Sequence, residues 1–232
     1  MNNSHIHLGA MWLFFQLRRG LMITLYGTQK SRALRVSWLL EELGFEWQFH
    51  FIDFAKGENR SESFLALNPS GKMPVLTDGD FVLTESAAIM RYLAEKYGQG
   101  HWLPAPGSQA SGIHERWVSF VISELEQPLW NMGKHRFALP KEWRLEAMQN
   151  VAKWEFTQAA AIAEQWIPES GFVCGSEPMI ADILLTQTLG WALGFEQSIG
   201  PKLSAYRDRM KDRPALAAAL AKTAPNKKEP IS

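Results

Sequence analysis

From Met22 onward the apolar residues switch between two spacings, and the switches mark out elements. "MITLYG" reads as a short strand closed by Gly27. "SRALRVSWLLEELG" then sets Leu34, Trp38, Leu39 and Leu43 on one face at helical spacing, with Gly44 as the stop. "FEWQFHFIDF" alternates as a strand does, and a polar stretch leads into a short helix at 61–66. "MPVLTDGDFVL" predicts two strands joined by a turn at Asp78-Gly79, and "ESAAIMRYLAEKYG" a second amphipathic helix ending at Gly98. The order β-α-β-α-β-β-α predicts a small mixed sheet with helices on its faces.

"GQGHWLPAPGSQASG", residues 98–112, breaks every period with Gly and Pro. Its stretch 99–112 reads as a linker between a first domain at 22–98 and a second at 113–222. Strand signals nearly vanish beyond it. Helical patterns run through 113–138, 141–166, 179–194, 201–212 and 214–222, so the second domain is expected to be all-α. The tail 223–232 is polar, carries proline and is expected to fray.

The opening "MNNSHIHLGAMWLFFQLRRG" carries an apolar run at 11–17, but its arginines follow the run, where a secretory signal has them in front. The run also falls well short of the roughly 20 residues that cross a membrane. Residues 1–21 are therefore expected to be an N-terminal extension of the folded part, and His5 and His7 lack companion ligands for a metal. A formal net charge of +0 argues against nucleic acid or an anionic membrane as partner. The lone cysteine, Cys174, allows no internal disulfide and fits packing in a reducing compartment.

The chemistry concentrates in "SGKMPVLTDGDFVLTESAAI", residues 70–89. Proline lacks an N–H and is normally kept out of sheet interiors, so Pro74 at a strand start needs a reason. A trans proline at a sheet edge is one. A cis Met73-Pro74 bond is another, and it would turn the Met73 N–H and C=O outward, where a peptide-like ligand could add as a further strand. Glu85 and Ser86 fall where a strand yields to a helix. They could be an ordinary helix start, or Ser86 could meet a carboxylate at the positive helix end while Glu85 takes an ammonium.

"LYGTQKSRALRVSWLLEELG", "FLALNPSGKMPVL" and "LTESAAIMRYL" together resemble the thioredoxin-like half of a cytosolic glutathione transferase, in order and in spacing. The resemblance spans residues 22–222. It implies an α/β thioredoxin-like N-terminal domain followed by an all-α helical C-terminal domain, a homodimer, a cytoplasmic setting, and glutathione as co-substrate without a metal. It also implies a cis Met73-Pro74 bond against the cysteinyl backbone of glutathione, Glu85 and Ser86 on its γ-glutamyl end, and Asn59 with Lys72 on its glycyl carboxylate. Asn59 departs from the His or Gln that several classes carry there.

Within that frame Ser31, just ahead of the first helix, resembles the serine that several classes use to ionise the thiol, though its hydroxyl could equally cap the helix. Thr28 or a backbone N–H of the same loop is the alternative, and Tyr26 lies too early in the strand. The absence of cysteine from "YGTQKSRAL" argues against the thiol-exchange classes. Arg32 and Arg35 could add positive potential to the site, or stand as solvated helix residues, the reading favoured for each. In the second domain Trp117, Phe120, Val121 and Glu124 share one face, as core or as the wall for an apolar electrophile, with Trp130 and His135 following. "EPMIADILL" resembles the family's buried capping motif with Met179 in place of the hydroxyl residue three before Asp182, which predicts a weaker helix start. The implied activity is attack of the glutathione thiolate on an apolar electrophile or hydroperoxide held in a cleft between the domains. A non-catalytic glutathione-binding relative, or another glutathione-dependent reaction, is the alternative.

Overall fold

The computed structural model describes residues 22–29 and 31–224. The expectations for 1–21, His5 and His7 among them, lie outside these residues, as does most of the tail. Two compact units emerge. One holds the described residues up to Met90 and those from Ala217 onward, and the other is Arg91–Leu216. The division thus differs from the boundary expected at 98–113: it falls inside one helix after Met90 and inside the last described helix after Leu216.

The first unit is built on a four-stranded sheet of β1 (Ile23–Gly27), β2 (Trp47–Phe51), β3 (Val75–Asp78) and β4 (Phe81–Thr84), in the order β2-β1-β3-β4. β1 pairs parallel with β2 and antiparallel with β3, and β4 returns antiparallel on β3. Helix α1 (Ala33–Leu43) provides the crossover that a parallel pair requires. It buries Val36, Trp38, Leu39 and Leu40 completely or nearly so, while the Trp38 indole N–H is satisfied by Glu42 Oε1 at 3.0 Å. The short α2 (Glu62–Leu67) is capped by Ser61, whose hydroxyl accepts the Phe64 N–H at 3.2 Å. Its Phe64 packs with Ile52, Met73 and Val75 into a small cluster beneath the sheet end. Helix α3 (Ser86–Tyr97) follows β4 and passes into the second unit after Met90, and α9 (Pro214–Lys222) enters the first unit at Ala217.

Gly27 is required where it stands. A Cβ there would lie 2.4 Å from the Ala33 Cβ, so only glycine lets the first turn of α1 press against the end of β1. This close approach fixes where the loop between them, with Thr28 and Ser31, is presented.

The second unit is helical: α4 (Gln109–Phe120), α5 (Gln127–Gly133), α6 (Ala147–Trp166), α7 (Ile180–Gly194) and α8 (Pro201–Lys211). The pattern expected as one helix over 113–138 is divided by π-helical turns at Val121–Glu126 and Lys134–Ala138. The helix expected from 141 begins at Ala147, because a 3₁₀ turn at Lys141–Trp143 precedes it and Arg144 bonds back to the carbonyls of Leu139, Arg136 and Phe137. Glu164 of α6 reaches the first turn of α8, accepting the Lys202 and Leu203 N–H groups at 2.7 and 3.0 Å. A carboxylate there satisfies free amides and opposes the helix dipole. Among the described residues no helix is long and apolar enough to cross a membrane.

Candidate active site

Strand register lines up the loop and the two motifs along one end of the first unit's sheet. Tyr26 faces Val75 across the β1–β3 pair, so Gly27 stands opposite Pro74. Val75 in turn faces Thr84, which sets Pro74 opposite Glu85. Neighbouring strands lie about 4.8 Å apart, so the loop after Gly27 and the Glu85 corner are separated by roughly 10 Å, the reach of three extended residues.

The Met73-Pro74 bond in the middle of that row is cis, as the resemblance implied. Met73 buries its side chain in the cluster with Ile52 and Phe64, and among the described residues its main-chain N–H and C=O make no hydrogen bond. A main-chain donor and acceptor left unpaired beside a sheet are what an added strand of peptide would engage.

Glu85 adopts a left-handed conformation, φ 67°, with its side chain exposed. Its carbonyl accepts the Ile89 N–H at 2.9 Å, so α3 starts here and the Ser86, Ala87 and Ala88 amides have no acceptor within the helix. Ser86 is 5% exposed, and its hydroxyl accepts from Arg35 Nη1 at 3.3 Å. Arg35, read from sequence as solvated, is 1% exposed. Its partner lies 51 residues along the chain, and that long-range hydrogen bond brings a cation to the Ser86 hydroxyl at the start of α3.

Ser31 stands at the other end of the row, half-buried. Its hydroxyl donates to the Thr28 carbonyl at 2.7 Å and accepts the Ala33 N–H at 3.1 Å, so it caps the start of α1. Among the described residues the Thr28 hydroxyl makes no hydrogen bond. Lys72 is exposed beside the central rung, its carbonyl held by Asn68 Nδ2 at 2.8 Å. Asn59 is only 7% exposed and donates to Gly71 O at 3.0 Å, so one of its N–H groups is committed to the loop. That loop needs glycine: at φ 65° a Cβ on Gly71 would meet the Asn59 carbonyl at 2.9 Å.

Of the residues expected as core or as an electrophile wall, Trp117 falls on the core side. Trp117 is 1% exposed and packs edge-on against Phe120 and Trp166, which makes it core of the helical unit. Half-buried Phe120 leans on the same Trp166, and exposed Glu124 lies in the π-helical turn with Ser123 at 3.3 Å. Cys174 donates to Ala110 O at 3.7 Å, and burial pushes its thiol up to about 11, which leaves it protonated and unreactive at neutral pH.

Two arrangements had no sequence signal. Tyr206 of α8 donates its hydroxyl to buried Asp182 at the start of α7. His114, fully buried in α4, turns Nδ1 to Glu115 at 2.8 Å, and burial draws its pKa below the usual value.

Residues 21–95 match the family model "Glutathione S-transferase, N-terminal domain". Human glutathione S-transferase theta-2 is 31% identical over 198 residues, covering 79% of this chain and 77% of the human one. The chain belongs to the glutathione S-transferase family. The transferase is also 28% identical to Escherichia coli glutathione S-transferase GstB, over 84% of this chain and 96% of that one. Its fold superimposes on the Phanerochaete chrysosporium glutathione transferase URE2P6, solved in complex with oxidized glutathione, with a TM-score of 0.77 over 89% of this chain and 100% of that one. At 24% identity that likeness speaks for the fold alone. A thioredoxin-like unit followed by a helical one is therefore this transferase's architecture.

Proposed function

We propose that this transferase lays reduced glutathione across the sheet end, lowers the pKa of its thiol and delivers the thiolate to an apolar electrophile or hydroperoxide. The observation that carries the reading is the register: an unpaired Met73 rung stands between a helix-start hydroxyl and an acid-serine corner. The cysteinyl backbone pairs with Met73, the γ-glutamyl ammonium meets Glu85, and its carboxylate meets the free first-turn amides and the Ser86 hydroxyl to which buried Arg35 donates. Lys72 faces the glycyl carboxylate, with the remaining Asn59 N–H beside it.

A free thiol titrates near 8.5, so lowering it by about two units asks for roughly 2.7 kcal/mol of preference for the anion. A hydrogen bond to a charged group supplies about 1.5–3 kcal/mol, and a helix N-terminus about 0.3–1 kcal/mol more. One hydroxyl at the start of α1 is therefore enough. The thiol proton leaves for solvent, and for an aryl halide a carbon–sulfur bond forms as halide departs.

Calorimetric titration tests the reading. Saturable binding of reduced glutathione below millimolar concentration is expected, with turnover of an aryl halide or cumene hydroperoxide. A flat titration to millimolar ligand removes the proposal. The Glu85 corner offers a separate check, because a left-handed conformation costs a non-glycine residue about 1–2 kcal/mol. Glu85→Gly is expected to stabilise the fold by about 1 kcal/mol in denaturant unfolding. The same variant is expected to bind glutathione about tenfold more weakly for want of the ammonium's partner. Equal affinity in the variant would take Glu85 out of the site.

A further inference from the structure

The last carbonyls of any helix must find donors beyond it, and α9 finds one far away in sequence. At its end the Thr223 N–H and hydroxyl both turn to Ala219 O, at 3.0 and 2.7 Å, and the Ala224 N–H reaches Ala221 O at 3.4 Å. That pattern passes over Leu220. Its carbonyl accepts instead from the side-chain amide of Gln29, 191 residues earlier, at 2.7 Å. The helix end has a second anchor in Lys222, whose ammonium lies 4.3 Å from the Trp47 ring centre and 3.5 Å from Glu41 Oε1. The same Glu41 oxygen accepts the Trp47 indole N–H at 2.8 Å. Helix α9 is thereby fastened to the loop after β1, to the end of α1 and to the start of β2.

Gln29 follows Thr28 directly and lies ahead of Ser31 in the loop that carries both candidate hydroxyls. The loop's own side-chain tie is the Ser31 hydroxyl on the Thr28 carbonyl. That is also the bond Ser31 must release to turn its single proton to a sulfur anion. Among the described residues, the 3.2 Å contact from Ser31 N–H to the same carbonyl would then be what still joins Ser31 to Thr28.

We propose that Gln29 is a positioning residue: by capping Leu220 at the end of α9 it keeps the thiol-activating loop in place while the Ser31 hydroxyl changes partners. This rests on the reading of the site as one that ionises glutathione. The tie also makes the end of α9 a working part of the sheet-bearing unit, although it is the last helix among the described residues.

The test uses the full chain with Gln29→Ala, and with Gln29→Lys, which keeps a long donor suited to a helix C-terminus. Amide hydrogen exchange at Ser31 and the pH dependence of kcat/KM are both read. Gln29→Ala is expected to quicken exchange at Ser31 about tenfold and to lower kcat/KM at neutral pH about tenfold, with the pH midpoint moved upward. Its KM for glutathione should change by less than about threefold, because the binding groups of the row are untouched. Gln29→Lys should restore both readouts, and Lys222→Met should move them the same way by a smaller factor. Unchanged exchange and an unchanged midpoint in Gln29→Ala overturn the proposal, as does a lower melting temperature with the wild-type midpoint. If the wild type shows no glutathione-dependent turnover, the reading of the site fails, and the exchange rates alone then decide whether Gln29 holds the loop.

Discussion

Ser31→Ala is expected to lower kcat/KM at neutral pH by about 10- to 100-fold, with much of the loss recovered above pH ~9, where the thiol ionises unaided. The range is the worth of one hydrogen bond to an anion, about 1.5–3 kcal/mol. The resting hydroxyl is already engaged, donating to Thr28 O at 2.7 Å. It gives up a neutral bond of about 1 kcal/mol for a stronger one to charged sulfur, so the exchange is downhill. Alanine also removes the acceptor of the Ala33 N–H, and the lost cap should cost about 1 kcal/mol of stability. The two roles separate in the pH profile. A residue that only caps would lower the melting temperature and leave the midpoint of kcat/KM against pH in place. In that event the thiol's donor is the hydroxyl of Thr28, without a partner among the described residues, or a backbone N–H of the loop, and Thr28→Ala moves the midpoint only in the first case.

What could be read from the sequence were features set by near neighbours. The strands, α1 and the Glu85-Ser86 corner all announce themselves through spacing and end signals within a dozen or so residues. Ser31 was legible for the same reason, as a hydroxyl directly before a helical pattern. Arg35 was misread because its charge suggests water, whereas its partner Ser86 comes from another part of the chain. The π-helical turns after Phe120 were hidden because a few residues of altered winding barely disturb an apolar period, and Pro128 sits harmlessly at the start of α5. Trp117 shows the limit of periodicity, which gives the face a side chain shares and not whether that face meets solvent. The return of α9 to the first unit depends on contacts such as Gln29 with Leu220, which no local pattern encodes.

The start of α7 carries the largest expected loss of stability. Met179 supplies no hydroxyl cap, yet Asp182 gathers three donors: the Val173 N–H at 2.9 Å, the Met179 N–H at 2.6 Å, and the Tyr206 hydroxyl from α8. Asp182 is fully buried, so Asp182→Ala strands these donors away from water and should destabilise the helical unit by about 3–5 kcal/mol in denaturant unfolding. The pH dependence has a definite sign. Burial pushes the Asp182 carboxyl up to about 6, against the pull of its hydrogen bonds, whereas an unfolded aspartate titrates near 3.9. Between those values the folded protein holds the proton that the unfolded chain has released. The group's contribution is therefore complete below about pH 4 and declines as the pH rises to about 6, by roughly 3 kcal/mol in all. Asp182→Asn cannot titrate, so the stability gap between wild type and this variant should be wider at pH 4.5 than at pH 7.5. A gap that widens toward pH 7.5 instead would mean that the three donors outweigh burial and hold Asp182 as an anion throughout.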